Sequence, residues 1–241
     1  MFDHVGVSVS DRAASRRFYE RVLEPLGHPL TSSEHYDEWE DFAIAQADPT
    51  HPVTRRLHVA FVAASIDEVD AFWRAGTEVG HPSDGEPGPR PVYHEGYYGA
   101  FLLDPDGNSV EAVHHGRLRS GPNVVDHLWI RVADVGAARA FYETVAPVLG
   151  HRVRVGREGR VHVEGEDRSF TLLEGPATSH LHIAFSAPDD ATVDAFHRAA
   201  LAAGYRDNGA PGERPQYHAG YYGAFVLDPD GTNVEAVSHN R

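Results

Sequence analysis

Apolar and polar residues alternate almost from the first position: Val5, Val7 and Val9 share one parity, and His4, Gly6 and Ser8 take the other. A period of two marks a strand with one buried face. The spacing then lengthens. Phe18, Val22 and Leu26 recur at helical intervals, Ser10 or Asp11 stands where an N-cap belongs, and Gly27 stands where a helix stops. Strands are expected through residues 29–34, 36–40 and 41–45, with a loop between Asp48 and Thr54. The same signals restart at Leu57, Val59 and Phe61, followed by Ser65 as the cap of a helix that runs to about Val79 and closes at Gly80. The Pro- and Gly-rich stretch from Pro82 to Pro91 predicts a loop. Two further strands, Tyr97–Leu103 and Ser109–Val113, flank the tight turn Asp104-Pro105-Asp106-Gly107. Half of the chain thus reads as two βαβββ modules.

The other half repeats the first. Arg56–His115 aligns without a gap on His180–His239, with about 35 of 60 positions identical, and Phe2–His28 aligns on Val125–His151. The second alignment shares Asp-His at its start and Phe-Tyr-Glu in its middle. Between them, Gly116 to Pro122 has no apolar period and carries Gly and Pro, as a linker does. The expected fold class is α+β, four βαβββ modules in two domains, residues 1–118 and 122–241.

Composition narrows the function. An apolar fraction of 41% in 241 residues supports real cores. A net charge of −15 without any basic run argues against nucleic acid, whose recognition needs clustered Lys and Arg. No stretch approaches the about 18 to 20 apolar residues of a membrane span, and the first residues form a strand pattern instead of a signal peptide. A cytoplasmic protein, monomer or homodimer, with a small-molecule substrate is expected. With no cysteine, a transition metal must be held by His, Asp or Glu, and the chain has 17 histidines.

Repeat and strand phase select among those histidines. Five pairs recur: His4 and His127, His28 and His151, His58 and His182, His94 and His218, His115 and His239. His4 lies opposite the valine parity of its strand, and His127 lies opposite Leu128, Ile130 and Val132. His58 and His182 likewise precede alternating core residues, and Glu111 and Glu235 alternate with Val110 and Ala112, Val234 and Ala236. His28, His94 and His115 fall in loops or at element ends. Two imidazoles and a carboxylate make a metal site with open positions for water and substrate. Iron(II) is the favoured ion, with zinc, nickel or manganese as alternatives.

The modules, the His near their starts, and Tyr97-Tyr98-Gly99-Ala100-Phe101 followed by Asp104-Pro105-Asp106-Gly107 and Glu111 resemble the vicinal oxygen chelate superfamily of glyoxalases, bleomycin-resistance proteins and extradiol dioxygenases. The resemblance covers nearly the whole chain. It implies metal ligation by His4, His58 and Glu111, and by His127, His182 and Glu235. It leaves open whether a site forms within a half or by exchange, His4 then sharing a metal with His182 and Glu235. Glyoxalases usually add a Glu where this chain has Ala43 and Thr171, and extradiol dioxygenases a Tyr where it has Phe101 and Phe225. Tyr97, Tyr98 and His94, with their copies Tyr221, Tyr222 and His218, can then supply a donor or base, and His94, His218, Tyr98 and Tyr222 are taken as the catalytic candidates. Trp129 and Arg131 replace Gly6 and Ser8 in the repeat, so two non-identical sites are expected. The resemblance implies a metal-dependent dioxygenase, lyase or isomerase acting on a chelating substrate. The rival expectation is a metal-free protein that sequesters a drug or metabolite, as bleomycin-resistance proteins do.

Overall fold

The opening alternation folds as strand β1 (Phe2–Val9) in the computed structural model, which describes residues 1–117, 123–166 and 168–240. Val5, Val7 and Val9 are buried, and His4, Gly6 and Ser8 are half-buried on the opposite face. Helix α1 (Arg12–Leu23) starts where the Asp11 carboxylate accepts a hydrogen bond from the Ala14 amide, which satisfies a donor left open by the first turn. A 3-10 turn, Glu24–Leu26, ends at Gly27 with φ 77°, a conformation that glycine adopts without strain. Strands β2 (Thr31–Ser32), β3 (Tyr36–Trp39) and β4 (Phe42–Gln46) complete the module.

The second module runs through β5 (Leu57–Val62), α2 (Ile66–Thr77), β6 (Ser83–Pro89), β7 (Tyr98–Leu103) and β8 (Ser109–His114). The third comprises β9 (Val125–Val132), α3 (Val135–Val145), β10 (Arg152–Val155), β11 (Val161–Glu164) and β12 (Ser169–Glu174). The fourth comprises β13 (Leu181–Ser186), α4 (Asp190–Ala202), β14 (Arg206–Glu213), β15 (Tyr221–Leu227) and β16 (Asn233–His239). The fold class is α+β with four βαβββ modules, as the periodicity predicts. Residues 118–122, most of the expected linker, lie outside the described residues. No helix among the described residues is long and apolar enough to cross a membrane.

One element differs from expectation. The stretch expected as a loop from Pro82 to Pro91 contains strand β6, paired with β7 through two register shifts, between Ser83 and Gly85 and between Gly85 and Gly88. Among the described residues it stands at the end of its sheet beside β7, and an edge strand with bulges tolerates proline because its missing N–H faces no partner.

Contacts gather the chain into two compact units, Val7–Leu128 and Met1–Gly6 with Trp129–Arg241. In the first, neighbouring strands run β9-β5-β8-β7-β6 and β1-β4-β3-β2, with β5 and β8 parallel. In the second they run β1-β13-β16-β15-β14 and β9-β12-β11-β10, with β13 and β16 parallel. The first residues of β1 therefore lie with β13, where the Met1 carbonyl accepts from the Ser186 amide at 3.2 Å, and the first residues of β9 lie with β5. Phe18, Tyr19, Trp39, Phe42 and Phe61 fill one core, and Phe2, Phe141, Tyr142, Phe170 and Phe185 the other. Burial of each such ring contributes roughly 1.5–3 kcal/mol.

The Asp-Pro-Asp-Gly turn is built alike in both units, but its buried carboxylate is not equally served. Asp104 accepts the Tyr19 hydroxyl at 2.9 Å and the Asn108 side-chain amide at 3.1 Å. Its counterpart Asp228 accepts backbone amides from Asp230 and Thr232 on Oδ1, whereas Oδ2 and the buried Tyr142 hydroxyl make no hydrogen bond with each other. Burial, aided by the charge of Asp230, pushes Asp228 up to about 6 against the bonds from Thr232. Between its unfolded value and about 6 the native state binds the proton that the unfolded chain has released, so stability falls as pH rises through this window. Asp228→Asn keeps the Oδ1 acceptor and removes the charge. It should stabilise the protein above pH 6 by on the order of 2 kcal/mol, and the gain should vanish near pH 4. Thermal melts of both proteins across that range check it; a gain that does not change with pH would refute the assignment.

Candidate metal centres

Six residues selected by repeat and strand phase meet in two groups of three, but not one group per half: His4 joins His182 and Glu235, and His127 joins His58 and Glu111. The physical reason is the placement of strand starts. His4 sits on the part of β1 that lies beside β13, and His127 on the part of β9 that lies beside β5. The parallel pairs β5–β8 and β13–β16 then set each remaining His next to its Glu, Ala60 opposite Glu111 and Ala184 opposite Glu235. Both glutamates are about 1% exposed although they face away from the helices, because Tyr97, Ala60 and Val113, and likewise Tyr221, Ala184 and Val237, form a small apolar cluster on that face.

In the first unit, His58 Nε2 lies 3.0 Å and His127 Nε2 3.6 Å from the same oxygen, Glu111 Oε2. In the second, His4 Nε2 and His182 Nε2 are 3.0 Å apart, and lie 3.7 and 3.2 Å from Glu235 Oε2. Donors at about 2.1 Å from an ion and at right angles stand about 3 Å apart, so this spacing suits one transition ion per group. Glycine makes room for the carboxylates: a Cβ at Gly99 or Gly223 would lie 2.5 Å from Oε1 of Glu111 or Glu235.

Outer partners decide which atoms carry protons. Ser109 donates to Asp84 at 2.7 Å, so its oxygen accepts from His58 Nδ1 at 3.1 Å. Asp126 Oδ1 accepts from His127 Nδ1 at 2.8 Å. In their neutral form both imidazoles therefore turn the lone pair of Nε2 toward a carboxylate oxygen. The other oxygen, Oε1, already accepts the Tyr97 hydroxyl at 2.6 Å. Burial, then the Glu111 charge, pushes the Tyr97 phenol far above its ordinary value, so it remains a donor. Three lone pairs converge with no hydrogen between them, an arrangement that a divalent cation relieves. In the second unit Asp3 accepts from His4 Nδ1 at 2.9 Å and Tyr221 donates to Glu235 at 2.7 Å. The Asn233 oxygen, however, accepts from Asn208 at 2.9 Å, so its NH2 donates to His182 Nδ1 at 2.8 Å. The neutral His182 ring therefore carries its proton on Nε2 there and must change tautomer to bind an ion.

Each aspartate continues outward. Asp126 Oδ2 accepts from His115 Nε2 at 3.0 Å, and His115 Nδ1 meets His94 Nε2 at 2.8 Å. Asp3 Oδ2 accepts from His239 at 2.7 Å, and His239 meets His218 at 2.9 Å. Burial alone would raise Asp126, but its bonds to His115 and His127 outweigh that and hold it well below the carboxylate range. Asp3 is lowered in the same way by His4 and His239.

Of the catalytic candidates, His94 and His218 thus end these chains without touching a triad. Tyr98 and Tyr222 donate to Asp70 and Asp194 on α2 and α4, at 3.0 and 2.9 Å, which places them on the helix face of the sheet. The phenols at the carboxylates are Tyr97 and Tyr221. Strand parity separates the two: Tyr97, Gly99 and Phe101 share the face of Glu111, and Tyr98 does not. Sequence reasoning passes over Asp3 and Asp126, although their signal, an Asp-His pair repeated at the start of each half, is plain in the sequence. Trp129 is half-buried with the Arg160 guanidinium 5.2 Å from its ring, and Arg131 is exposed.

Among solved structures, the chain is similar to glyoxalase I from Zea mays, at 20% identity over 99% of this chain and 92% of that one, with a TM-score of 0.68. It is also similar to a proposed dioxygenase from Bacillus subtilis, at 14% identity over 100% and 85%, with a TM-score of 0.65. At these identities the likeness speaks for the fold. Comparison with curated proteins finds no match. The sequence profile of the Glyoxalase/Bleomycin resistance protein/Dioxygenase superfamily matches residues 1–112 and 124–236, nearly all of both halves, and the chain belongs to that superfamily.

Proposed function

We propose that the protein is a divalent-metal enzyme with two centres, acting on a small substrate that chelates the ion through two oxygens. The observation that carries this reading is the convergence of His58 Nε2 and His127 Nε2 on the Glu111 oxygen that Tyr97 leaves free. Sequestering a ligand without metal would require none of these residues. Two imidazoles and one carboxylate suit iron(II) first, and zinc, nickel or manganese after it. An ion bound there supplies Lewis acidity toward a chelated pair of oxygens. The protein's own part is to hold tautomers and charge: Ser109 and Asp126 keep both Nε2 atoms free, and Tyr97 fixes the Glu111 carboxylate. His94 and His218 act through His115 and His239 as positioning residues. Reconstitution with iron(II) under anaerobic conditions, followed by metal analysis, should give about two equivalents per chain; less than about a tenth of an equivalent of any transition metal would overturn the reading. Oxygen uptake with catechols, set against turnover of 2-oxoaldehyde adducts, then separates dioxygenase from glyoxalase chemistry.

A further inference from the structure

An arginine lies over the phenylalanine that neighbours each centre, and no carboxylate neutralises it among the described residues. The Arg90 guanidinium lies 5.5 Å from the Phe101 ring, and Arg214 lies 5.6 Å from the Phe225 ring. Phe101 is paired in register with Glu111, and its ring lies 6.0 Å from that of His58; Phe225 is paired with Glu235, 6.2 Å from His182. The sequence carries 36 acidic against 21 basic residues, yet neither half-buried arginine has a carboxylate within 4.0 Å among the described residues. Among the described residues their side-chain hydrogen bonds go to backbone carbonyls: Glu86 at 2.7 Å and Pro89 at 3.3 Å for Arg90, Ala210 at 2.7 Å and Glu213 at 3.2 Å for Arg214.

The chain keeps space for this placement twice. A Cβ at Gly88 would lie 2.9 Å from Arg90 Nη1, and one at Gly212 would lie 3.0 Å from Arg214 Nη1. A guanidinium offers five donors in a planar fork, more than two carbonyls consume, and the fork matches a carboxylate. We infer that Arg90 and Arg214 anchor the carboxylate of a substrate whose chelating end reaches the adjacent metal centre. The inference rests on the proposed metal function and narrows its substrate class to anionic chelators. Phe101 and Phe225 each neighbour both the guanidinium and a ligand histidine, so a ring joining the two ends of such a substrate would lie against them.

The test compares two chelating probes, 3-(3,4-dihydroxyphenyl)propanoate and 4-ethylcatechol, by anaerobic calorimetry on the metal-loaded chain. The intact protein should bind the carboxylate probe at least about tenfold more tightly. In Arg90→Gln/Arg214→Gln the preference should fall within about twofold while 4-ethylcatechol binding is unchanged, and the double Lys variant should recover part of it. A third arm needs no metal: phenylacetate titrated into chelator-treated protein should shift NMR signals of the intact chain and not of the Gln variant. No preference in the intact chain, or one that survives both substitutions, would overturn the inference. A lowered Tm with an unchanged preference would assign the arginines to holding β6 and β14 instead. If the chain takes up no metal, the function proposed above fails, and the phenylacetate arm alone decides the anchor.

Discussion

Combining His4→Ala with Glu235→Gln should leave one equivalent of bound metal, whereas combining His4→Ala with Glu111→Gln should leave none. The first pair strikes a single centre, because His4 Nε2 lies 3.0 Å from His182 Nε2 and both face Glu235. The second pair removes a donor from each. A site assembled within one half would give the opposite pattern, so metal stoichiometry alone reads the exchange of strand starts. Glutamine is the right replacement at Glu111 and Glu235. It retains an acceptor for the buried hydroxyls of Tyr97 and Tyr221, whose loss would cost about 1–3 kcal/mol each, and it removes only the charge and the anionic donor. Affinity at the altered centre should fall by more than about 100-fold, since changes one layer further out already cost 10–100-fold. His28→Ala is the control, because His28 bonds the Val62 carbonyl at 3.3 Å and belongs to neither group. Two full equivalents in Glu111→Gln/Glu235→Gln would refute the centres altogether.

Much of this architecture is legible in the residues, and the gaps have physical causes. Apolar alternation in the first strand and its copy puts His4 and His127 on the free face, and the duplicated Glu111 and Glu235 follow from the alternation in their own strands. The grouping of the six residues is not legible, because parity fixes a face but not the neighbouring strand. That neighbour depends on which module the first residues of β1 and β9 join, a choice made by tertiary packing. Strand β6 was hidden for another reason: Pro and Gly are turn signals in isolation, and only its position at a sheet edge lets Ser83–Pro89 pair. Residue type alone leaves Tyr97 and Tyr98 as equal candidates, because the two tyrosines are adjacent. Counting outward from Gly99, whose space the Glu111 carboxylate fills, separates them. Residue type makes His94 a candidate base, and its bonds to Glu95 and His115 place it two contacts away from Asp126, outside the triad.

The hold of Asp126 on His127 should be measurable. Asp126→Asn is expected to weaken metal binding at the His58–Glu111–His127 centre by 10–100-fold while leaving the other centre intact. The carboxylate accepts from His127 Nδ1 at 2.8 Å and from His115 Nε2 at 3.0 Å, one imidazole on each oxygen. An amide has a single acceptor oxygen. If its NH2 faces His127, the ring must shift its proton to Nε2, the atom that points at Glu111 3.6 Å away, and the lone pair for the metal is lost. If its oxygen faces His127, the NH2 meets His115, and the strand of contacts out to His94 rearranges instead. The sign of the pH effect follows from the lowered carboxyl. Because His115 and His127 hold Asp126 below its ordinary value, its contribution to stability is complete above the usual carboxylate range and is lost only as pH falls through its depressed value. The metal-affinity difference between the two proteins should therefore persist from neutral into mildly acid solution. Competition against a chromophoric chelator at several pH values, with the Tm of the chelator-treated proteins as a folding control, measures it. Equal affinities would show that His127 needs no anchor and that Asp126 serves His115 alone.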